Sequence, residues 1–269
     1  MPTTTTLTLT AAAPLFFDEA WPLADLFLEI LARSGKEVSV SKQGEGGKPY
    51  TLSPLQRERP VGCPSPSLNQ PTRYYWQVSL LDDALTPLFL ADLRAGETLT
   101  LAGAPLTIGD VAVRICAYEE LARQTHSWAE QKPKAARYFD FAFITPVILW
   151  RYSLPFPLPD PTLVFQHYLA AWDTFAPRAL WLNYNLLDAV EAHLAITDHQ
   201  LETRTVNLGS GPPKTGFLGH ATYKMLAWEK LGAEFLGQLQ TLARFAEFCG
   251  TGAYTEHGLG QTRLRRSAG

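Results

Sequence analysis

Polar and apolar residues alternate at the start of the chain, where threonine and leucine take turns over residues 3–13. This two-residue period predicts a β-strand with one buried face. Over residues 18–33 the period becomes helical, and the apolar stripe consists of Leu23, Leu26, Phe27, Ile30 and Leu31. We interpret that stripe as core packing. The stretches RYYWQVSLL and ETLTLAGAPLTIGDVAVRICAYEEL predict further strands joined by short turns.

The second half of the chain repeats this order of elements. Residues 138–144 predict a strand, and alternate prolines then mark a stiff connection that ends where Pro161 opens a helix. The stretch DAVEAHLAITDHQLETRTVNL predicts strand, turn and strand, GFLGHATYKML a strand, and WEKLGAEFLGQLQTLARFAEF a helix. This order is that of the split βαβ unit. We therefore predict an α+β fold of two tandem ferredoxin-like (RRM-like) domains with a C-terminal glycine-rich loop.

A polar segment that contains a proline, HSWAEQKPKAAR, separates the two halves. We expect an N-terminal ferredoxin-like domain over residues 1–125, a linker over 126–137, and a C-terminal ferredoxin-like domain over 138–269. The length of 269 residues suffices for two small domains, and a hydrophobic content of 46% can build their cores.

Charge and cysteine content restrict the function only mildly. The formal net charge of −3 does not indicate nucleic-acid binding, although basic residues cluster near positions 57–59, 132–137 and 263–266. The three cysteines form no CxxC pair, so neither a zinc site nor a disulfide framework is indicated. We expect a cytoplasmic protein, since no secretion signal opens the chain and the longest apolar run is too short to span a membrane.

The most informative segment is EFCGTGAYTEHGLGQTRLRR near the C-terminus. It combines four glycines with three arginines, namely Gly250, Gly252, Gly258, Gly260, Arg263, Arg265 and Arg266. Glycines let the backbone approach a ligand closely, and amide N–H groups with guanidinium groups suit a phosphate. The residues alone leave a mononucleotide, a dinucleotide, an RNA backbone or a ligand-free hairpin open. Neither a Walker loop nor a dinucleotide fingerprint fits the spacing.

The helix LARFAEF followed by GTGAYTEHGLGQTR resembles the C-terminal glycine loop of the RAMP superfamily. The closest resemblance is to the CRISPR repeat-processing endoribonucleases, the sixth Cas protein family. The stretches KPYTLSPL, FITPVIL, LPFPLPDPTLVFQHYLAAWDTF and TGFLGHATYKM resemble other segments of that family, in the same order along the chain.

This resemblance implies that the partner is CRISPR repeat RNA, the precursor crRNA stem-loop, and that no cofactor or metal is needed. A ribose 2′-hydroxyl would attack the adjacent phosphate, giving 2′,3′-cyclic phosphate and 5′-hydroxyl ends. CRISPR effector complex subunits are further possible partners, no membrane is expected, and the protein would be a monomer or homodimer. The alternative is a non-catalytic RNA-binding RAMP subunit of an effector complex; a generic pair of RNA-binding domains is a third.

The chain departs from the family at the catalytic histidine. That residue usually precedes the Lys-Pro-aromatic motif, but SVSKQGEGGKPY contains no histidine, and the matching position falls near Ser41 or Lys42. A solvated lysine, with a pKa near ~10.4, is a poor base but a good phosphate clamp. We therefore expect the catalytic residues among Lys42, Ser41, Lys48, His257 and Arg33. The same departure is compatible with a slow or inactive enzyme.

RNA-binding residues are expected in two places. The first is the glycine segment, through Gly250, Gly252, Gly258, Gly260, Gln261, Arg263 and Arg265. The second is the strand GFLGHATYKM, where His220 and Lys224 share one face with Thr222. We interpret His167, His193 and His199 as structural, because they lack metal-ligand spacing.

Overall fold

The chain forms two antiparallel sheets, each with helices packed on one face. The computed structural model describes residues 1–15, 21–33, 47–58, 71–182, 185–209 and 211–265. The elements of the first half are β1 (Thr3–Ala11), α1 (Trp21–Arg33), β2 (Tyr50–Leu52), β3 (Gln56–Arg57), β4 (Thr72–Leu80), α2 (Leu85–Leu90), β5 (Thr98–Leu101) and β6 (Ala104–Ile115). Those of the second half are α3 (Tyr118–Gln131), α4 (Pro133–Ala136), β7 (Tyr138–Val147), β8 (Leu149–Arg151), β9 (Leu154–Phe156), α5 (Pro161–Phe175), α6 (Asn185–His193), β10 (Leu194–Val206), β11 (Lys214–Met225), α7 (Trp228–Cys249) and β12 (Thr262–Arg265).

Both sheets have the strand order of the ferredoxin-like unit. In the first sheet the order is β2-β4-β1-β6-β5, and in the second it is β10-β11-β7-β12. In each, the first strand of the unit lies between the third and the fourth, and the second lies at the outer edge. This arrangement confirms the predicted tandem ferredoxin-like fold.

The alternation of residues explains which face of each sheet is buried. In β1, Leu7 and Leu9 are fully buried, whereas Thr6 and Thr8 on the opposite face are only half-buried. In β7, Phe139 and Phe141 are buried beneath α5 and α7. Each sheet therefore has one face covered by its helices and one free of them, which we call its open face.

The predicted strand–turn–strand over residues 188–208 is wrong in its first part. The structure begins with helix α6, which continues directly into the long strand β10. Leu186 and Val190, four residues apart, are both buried and form the apolar side of that helix. Only the later residues extend as a strand, and they pair with β11.

The segment 126–137, predicted as a linker, is largely helical. Its residues lie in α3 and α4, and Leu121, Thr125 and Ala129 form the buried side of α3. The Thr125 hydroxyl lies 2.6 Å from the Thr241 hydroxyl of α7, so α3 packs on the core of the second half. The four-residue spacing of these buried side chains, rather than the overall polarity of the segment, accounts for its helical conformation. The division into two domains at this segment stays a prediction.

Candidate nucleic-acid interface

Strand register gathers four of the predicted RNA-binding side chains on the open face of the second sheet. Arg263 of β12 and His220 of β11 both pair with Ala142 of β7. Two residues further along β7, Arg265 pairs with Asp140, and two residues beyond that, Lys224 pairs with Tyr138. Paired residues of neighbouring strands project to the same face of a sheet. His220, Lys224, Arg263 and Arg265 therefore share one surface.

This open face carries cationic side chains together with carboxylates, among them Asp140 of β7 and Asp198 of β10. The Lys224 ammonium lies 5.3 Å from the centre of the Tyr138 ring. A hydrogen bond with Lys224 is the main cause that lowers the pKa of the Tyr138 phenol, and Arg137 acts in the same direction. The Arg265 Nε lies 3.8 Å from a carboxylate oxygen of Asp140, and both side chains are partly exposed, so this ion pair is weak. The face thus retains cationic groups available to an anionic ligand.

A cleft of about 360 Å³, which we call the sheet cleft, separates the two halves. Thr4, Thr6 and Arg114 line it from the first sheet, and Gln261 and Arg263 line it from the second. Three of the predicted RNA-binding residues, Gly250, Gln261 and Arg263, therefore line a cleft that the other half also borders. Sequence reasoning missed Arg114, although its strand register beside Thr4 places both on the open face of the first sheet. Arg114 reaches the cleft because the two sheets lie on either side of it, and no local sequence pattern reveals that arrangement.

The glycine segment is a tight loop that braces the end of α7 against β7. Gly252 has φ 77°, and an added Cβ there would lie 2.4 Å from the Ile148 carbonyl oxygen. Gly260 has φ 65°, and its Cβ would lie 2.0 Å from the Thr251 carbonyl oxygen. Only glycine permits these approaches. Part of the glycine requirement is therefore structural.

Three of the glycine amides that were expected to cradle a phosphate donate hydrogen bonds within the protein instead. The amide of Gly250 donates to the carbonyl of Ala246, that of Gly258 to Thr255, and that of Gly260 to Pro146. These donors are occupied within the protein, by acceptors on α7, on the turn Thr255–His257 and on β7. Side chains beyond the loop, such as Gln261 and Arg263, remain as the groups that reach the sheet cleft.

A buried chain of hydroxyls fixes the loop to the core. The Tyr168 hydroxyl lies 2.6 Å from the Thr251 hydroxyl, which lies 2.6 Å from that of Thr262. Thr262 also donates to the carbonyl of Gly260. Burial raises the pKa of Tyr168 far above its usual range, so it remains a neutral hydrogen-bonding group. The position of the loop is thus set by α5 and β12 together.

The structure places two of the predicted catalytic residues at this loop, His257 within it and Lys48 beside its turn. The turn Thr255–His257 packs against β2 and against α1, which ends at the exposed Arg33. Lys48 and Glu256 line a second groove of about 1150 Å³ beside this turn, which we call the loop groove. Burial raises the pKa of Tyr50 to about 12, and the carboxylate of Glu256 adds to the effect.

Two other catalytic candidates, Ser41 and Lys42, lie outside the described residues, so their roles stay predictions. His167 lines the loop groove, and its Nε2 is buried with no hydrogen-bond partner in the described part of the chain. Burial lowers the pKa of His167 to about 4, so its imidazole is neutral near pH 7.

Two kinds of feature are absent from the described residues. Within ranges 1–15, 21–33, 47–58, 71–182, 185–209 and 211–265, no group of three His, Cys, Asp or Glu side chains is arranged to hold a metal ion. In the same part of the chain, no helix has the length and apolar character needed to cross a membrane.

Comparison with solved structures identifies the class of fold. The chain is similar to a RAMP protein that binds different RNA substrates, at 11% identity and a TM-score of 0.54, covering 98% of this chain and 99% of that one. It is similar to a Cas6 product complex at 24% identity and a TM-score of 0.78, covering 98% and 99%. The same Cas6, from Thermus thermophilus, matches at 23% identity and a TM-score of 0.71, covering 98% of each chain. The fold is thus that of the RAMP-like proteins with two ferredoxin-like units.

A family model matches part of the second half of the chain. The family model of the CRISPR-associated endoribonuclease Cas6 matches residues 141–262, from within β7 through β10, β11 and α7 to the end of the glycine loop. No curated protein matches the chain. The resemblance to the Cas6 endoribonucleases predicted from the sequence is therefore confirmed, by the family model over the second half and by the fold over nearly the whole chain.

Proposed function

We propose that this protein binds CRISPR repeat RNA and cuts it as a metal-independent endoribonuclease. The observation that carries the proposal is the gathering of Arg263, Arg265, His220 and Lys224 on one open sheet face, beside the sheet cleft. The match to the Cas6 family model over residues 141–262, which include His220 and Lys224, supports it. A relative of the same fold was solved as a product complex.

Binding in this proposal depends on phosphate contacts made by side chains. Arg263 borders the sheet cleft with Gln261, and Arg114 faces them from the first sheet. A guanidinium group offers paired N–H donors to a phosphate, whereas an ammonium such as Lys224 acts as a point charge. Neutralising phosphates releases counterions, so the affinity falls with salt in proportion to the number of contacts.

The proposed reaction uses the RNA itself as the nucleophile. The 2′-oxygen loses its proton to a base and attacks the neighbouring phosphorus in line, forming the second ester bond of a 2′,3′-cyclic phosphate. The bond from phosphorus to the 5′-oxygen breaks, and an acid protonates that oxygen to give a 5′-hydroxyl. A cation stabilises the charge that accumulates on the phosphate oxygens.

Residues around the loop groove are proposed for these roles. Lys48 lines the groove and would stabilise the phosphate, with Lys42 and Ser41 as further candidates from the sequence. His257, on the turn that packs against β2, would transfer a proton. Arg33, exposed at the end of α1, would hold a neighbouring phosphate.

The chemistry of the product ends tests this proposal. Repeat RNA is incubated with the protein and the new ends are examined. A 5′ end that polynucleotide kinase labels directly, and a 3′ end whose cyclic phosphate opens in acid, are expected. A 5′-phosphate with a free 3′-hydroxyl would show that water, rather than the 2′-hydroxyl, attacks the phosphate, and would refute the mechanism.

A second candidate function is that of a non-catalytic RNA-binding subunit of a CRISPR effector complex. The sequence observation that favours it is the lack of a histidine in SVSKQGEGGKPY, where the family usually has its catalytic one. Tight binding of repeat RNA without any cut would support this function over the first.

A further inference from the structure

We propose that the hairpin formed by β8 and β9 is a stacking platform for unpaired nucleotides next to the cut, with Trp150 and Tyr152 as the rings that hold bases. The inference rests on the proposed RNA-cleaving function and extends it to the single-stranded part of the substrate. Four observations carry it: exposed aromatic rings, a strained backbone at the hairpin tip, cations beside the rings, and a continuous groove to Lys48.

The exposure of these aromatic rings is not explained by core packing. Tyr152, in the turn between β8 and β9, is 98% exposed, and Trp150 is 36% exposed. Trp181, which lines the same loop groove, is 47% exposed. Single exposed apolar residues are normal, whereas a cluster of them around one groove indicates a binding surface.

The backbone of Tyr152 adds a second argument. Its φ is 55°, in the left-handed region that disfavours side chains with a Cβ. Glycine or asparagine is the usual choice at such a turn position. Here a bulky ring occupies the position and projects into solvent, so neither turn geometry nor packing accounts for it. A local conformational cost without a structural benefit is typical of a functional residue.

Cations lie beside the exposed rings. The Lys214 ammonium is 5.7 Å from the centre of the Trp150 ring, and the Arg178 guanidinium carbon is 5.4 Å from that of Trp181. An aromatic surface interspersed with cations suits single-stranded nucleic acid, which offers flat bases to the rings and phosphates to the cations. The charge of this patch therefore favours RNA as its occupant over an apolar protein surface.

The loop groove connects this platform to the proposed catalytic residues. Trp150, Tyr152 and Trp181 line it together with Lys48 and Glu256. A strand that places its scissile phosphate near Lys48 would therefore pass its neighbouring nucleotides along these rings. The carboxylate of Glu256 repels phosphates but accepts hydrogen bonds from base amino groups. We expect the bases to point into the groove and the phosphates towards the lysines.

Binding of two RNAs to matched variants tests the proposal. One RNA is the repeat stem-loop alone, and the other carries its unpaired flanks. Tyr152→Asn removes the ring but suits the left-handed backbone, Tyr152→Phe keeps the ring, and Trp150→Ala removes the second platform. Ile196→Ala, at an exposed apolar position on β10, is the control.

The ring-removing variants are expected to bind the flanked RNA about 5- to 150-fold more weakly per lost stack. Binding of the stem-loop alone, and of either RNA to Tyr152→Phe and Ile196→Ala, should match the wild type. The fluorescence of a 2-aminopurine placed in the flank should be quenched when the RNA binds to the wild type or to Tyr152→Phe. Binding to Tyr152→Asn should quench it less.

Three results would overturn the proposal, and they are distinguishable. Unchanged binding of flanked RNA to both ring-removing variants would show that the rings hold no bases. A change in self-association without a change in RNA binding would assign the surface to a protein contact. Failure of the wild-type protein to bind repeat RNA at all would refute the proposed function together with this extension.

Discussion

The glycine loop gives the sharpest structural prediction, because Gly260→Ala should destabilise the fold far more than an ordinary glycine substitution. An alanine held at φ 65° costs about 1–2 kcal/mol. Its Cβ would also lie 2.0 Å from the Thr251 carbonyl oxygen, so the backbone must move apart. That movement disrupts the bonds that Gly260 O accepts from Thr251 N and from the Thr262 hydroxyl, at about 0.5–1.5 kcal/mol each. The total loss is about 2–5 kcal/mol.

Urea unfolding of two variants measures this loss. Gly103→Ala is the matched control, since Gly103 has φ 83° but no atom within 4 Å of an added Cβ. The control should lose only the conformational cost of about 1–2 kcal/mol. If Gly260→Ala unfolded at the same urea concentration as Gly103→Ala, the close approach to Thr251 would not be a real constraint, and the loop would not be the brace described above.

Three further predictions concern binding, catalysis and pH. Arg263→Ala should weaken repeat binding and reduce its salt slope by about one phosphate contact, unlike Arg123→Ala on α3; equal slopes in the two variants would remove Arg263 from the interface. Lys48→Ala should slow single-turnover cleavage more than it weakens binding, whereas equal losses in both would leave it a binding residue only. For His167, whose folded pKa of about 4 lies below the unfolded value of about 6.5, unfolding takes up a proton, so stability is present above pH 6.5 and is lost as the pH falls towards 4. The loss should be at most about 3 kcal/mol in urea unfolding over that range, and His167→Gln should flatten it; a parallel pH profile in the variant would contradict this.

The order of the elements could be predicted from local patterns. Alternating threonine and leucine in β1 and the proline that opens α5 are local signals, and they correctly place a strand of the first sheet and a helix of the second half. Helix α6 could not be predicted in this way, because only Leu186 and Val190 mark its buried side before the chain extends into β10. Helix α3 was likewise not predicted, because its sequence is polar overall and its buried side is evident only from its packing on α7.

The candidate site was predictable in its residue types but not in its geometry. Strand periodicity is sufficient to place His220 and Lys224 on one face, and register adds Arg263 to it. The use of the glycine amides could not be foreseen, since their acceptors at Ala246 and Pro146 depend on how the loop closes. Tertiary contacts, which a local pattern does not encode, decide which polar groups remain free for a ligand.

The most direct measurement is a cleavage reaction with repeat RNA in buffer containing an excess of EDTA, run in parallel with RNA carrying a single 2′-deoxy nucleotide at the scissile position. The expected result is that the natural RNA is cut in EDTA at the rate seen without it, and that the deoxy RNA binds but stays intact. Cleavage that stops in EDTA and resumes with Mg²⁺, or that continues on the deoxy RNA, would contradict the proposed chemistry.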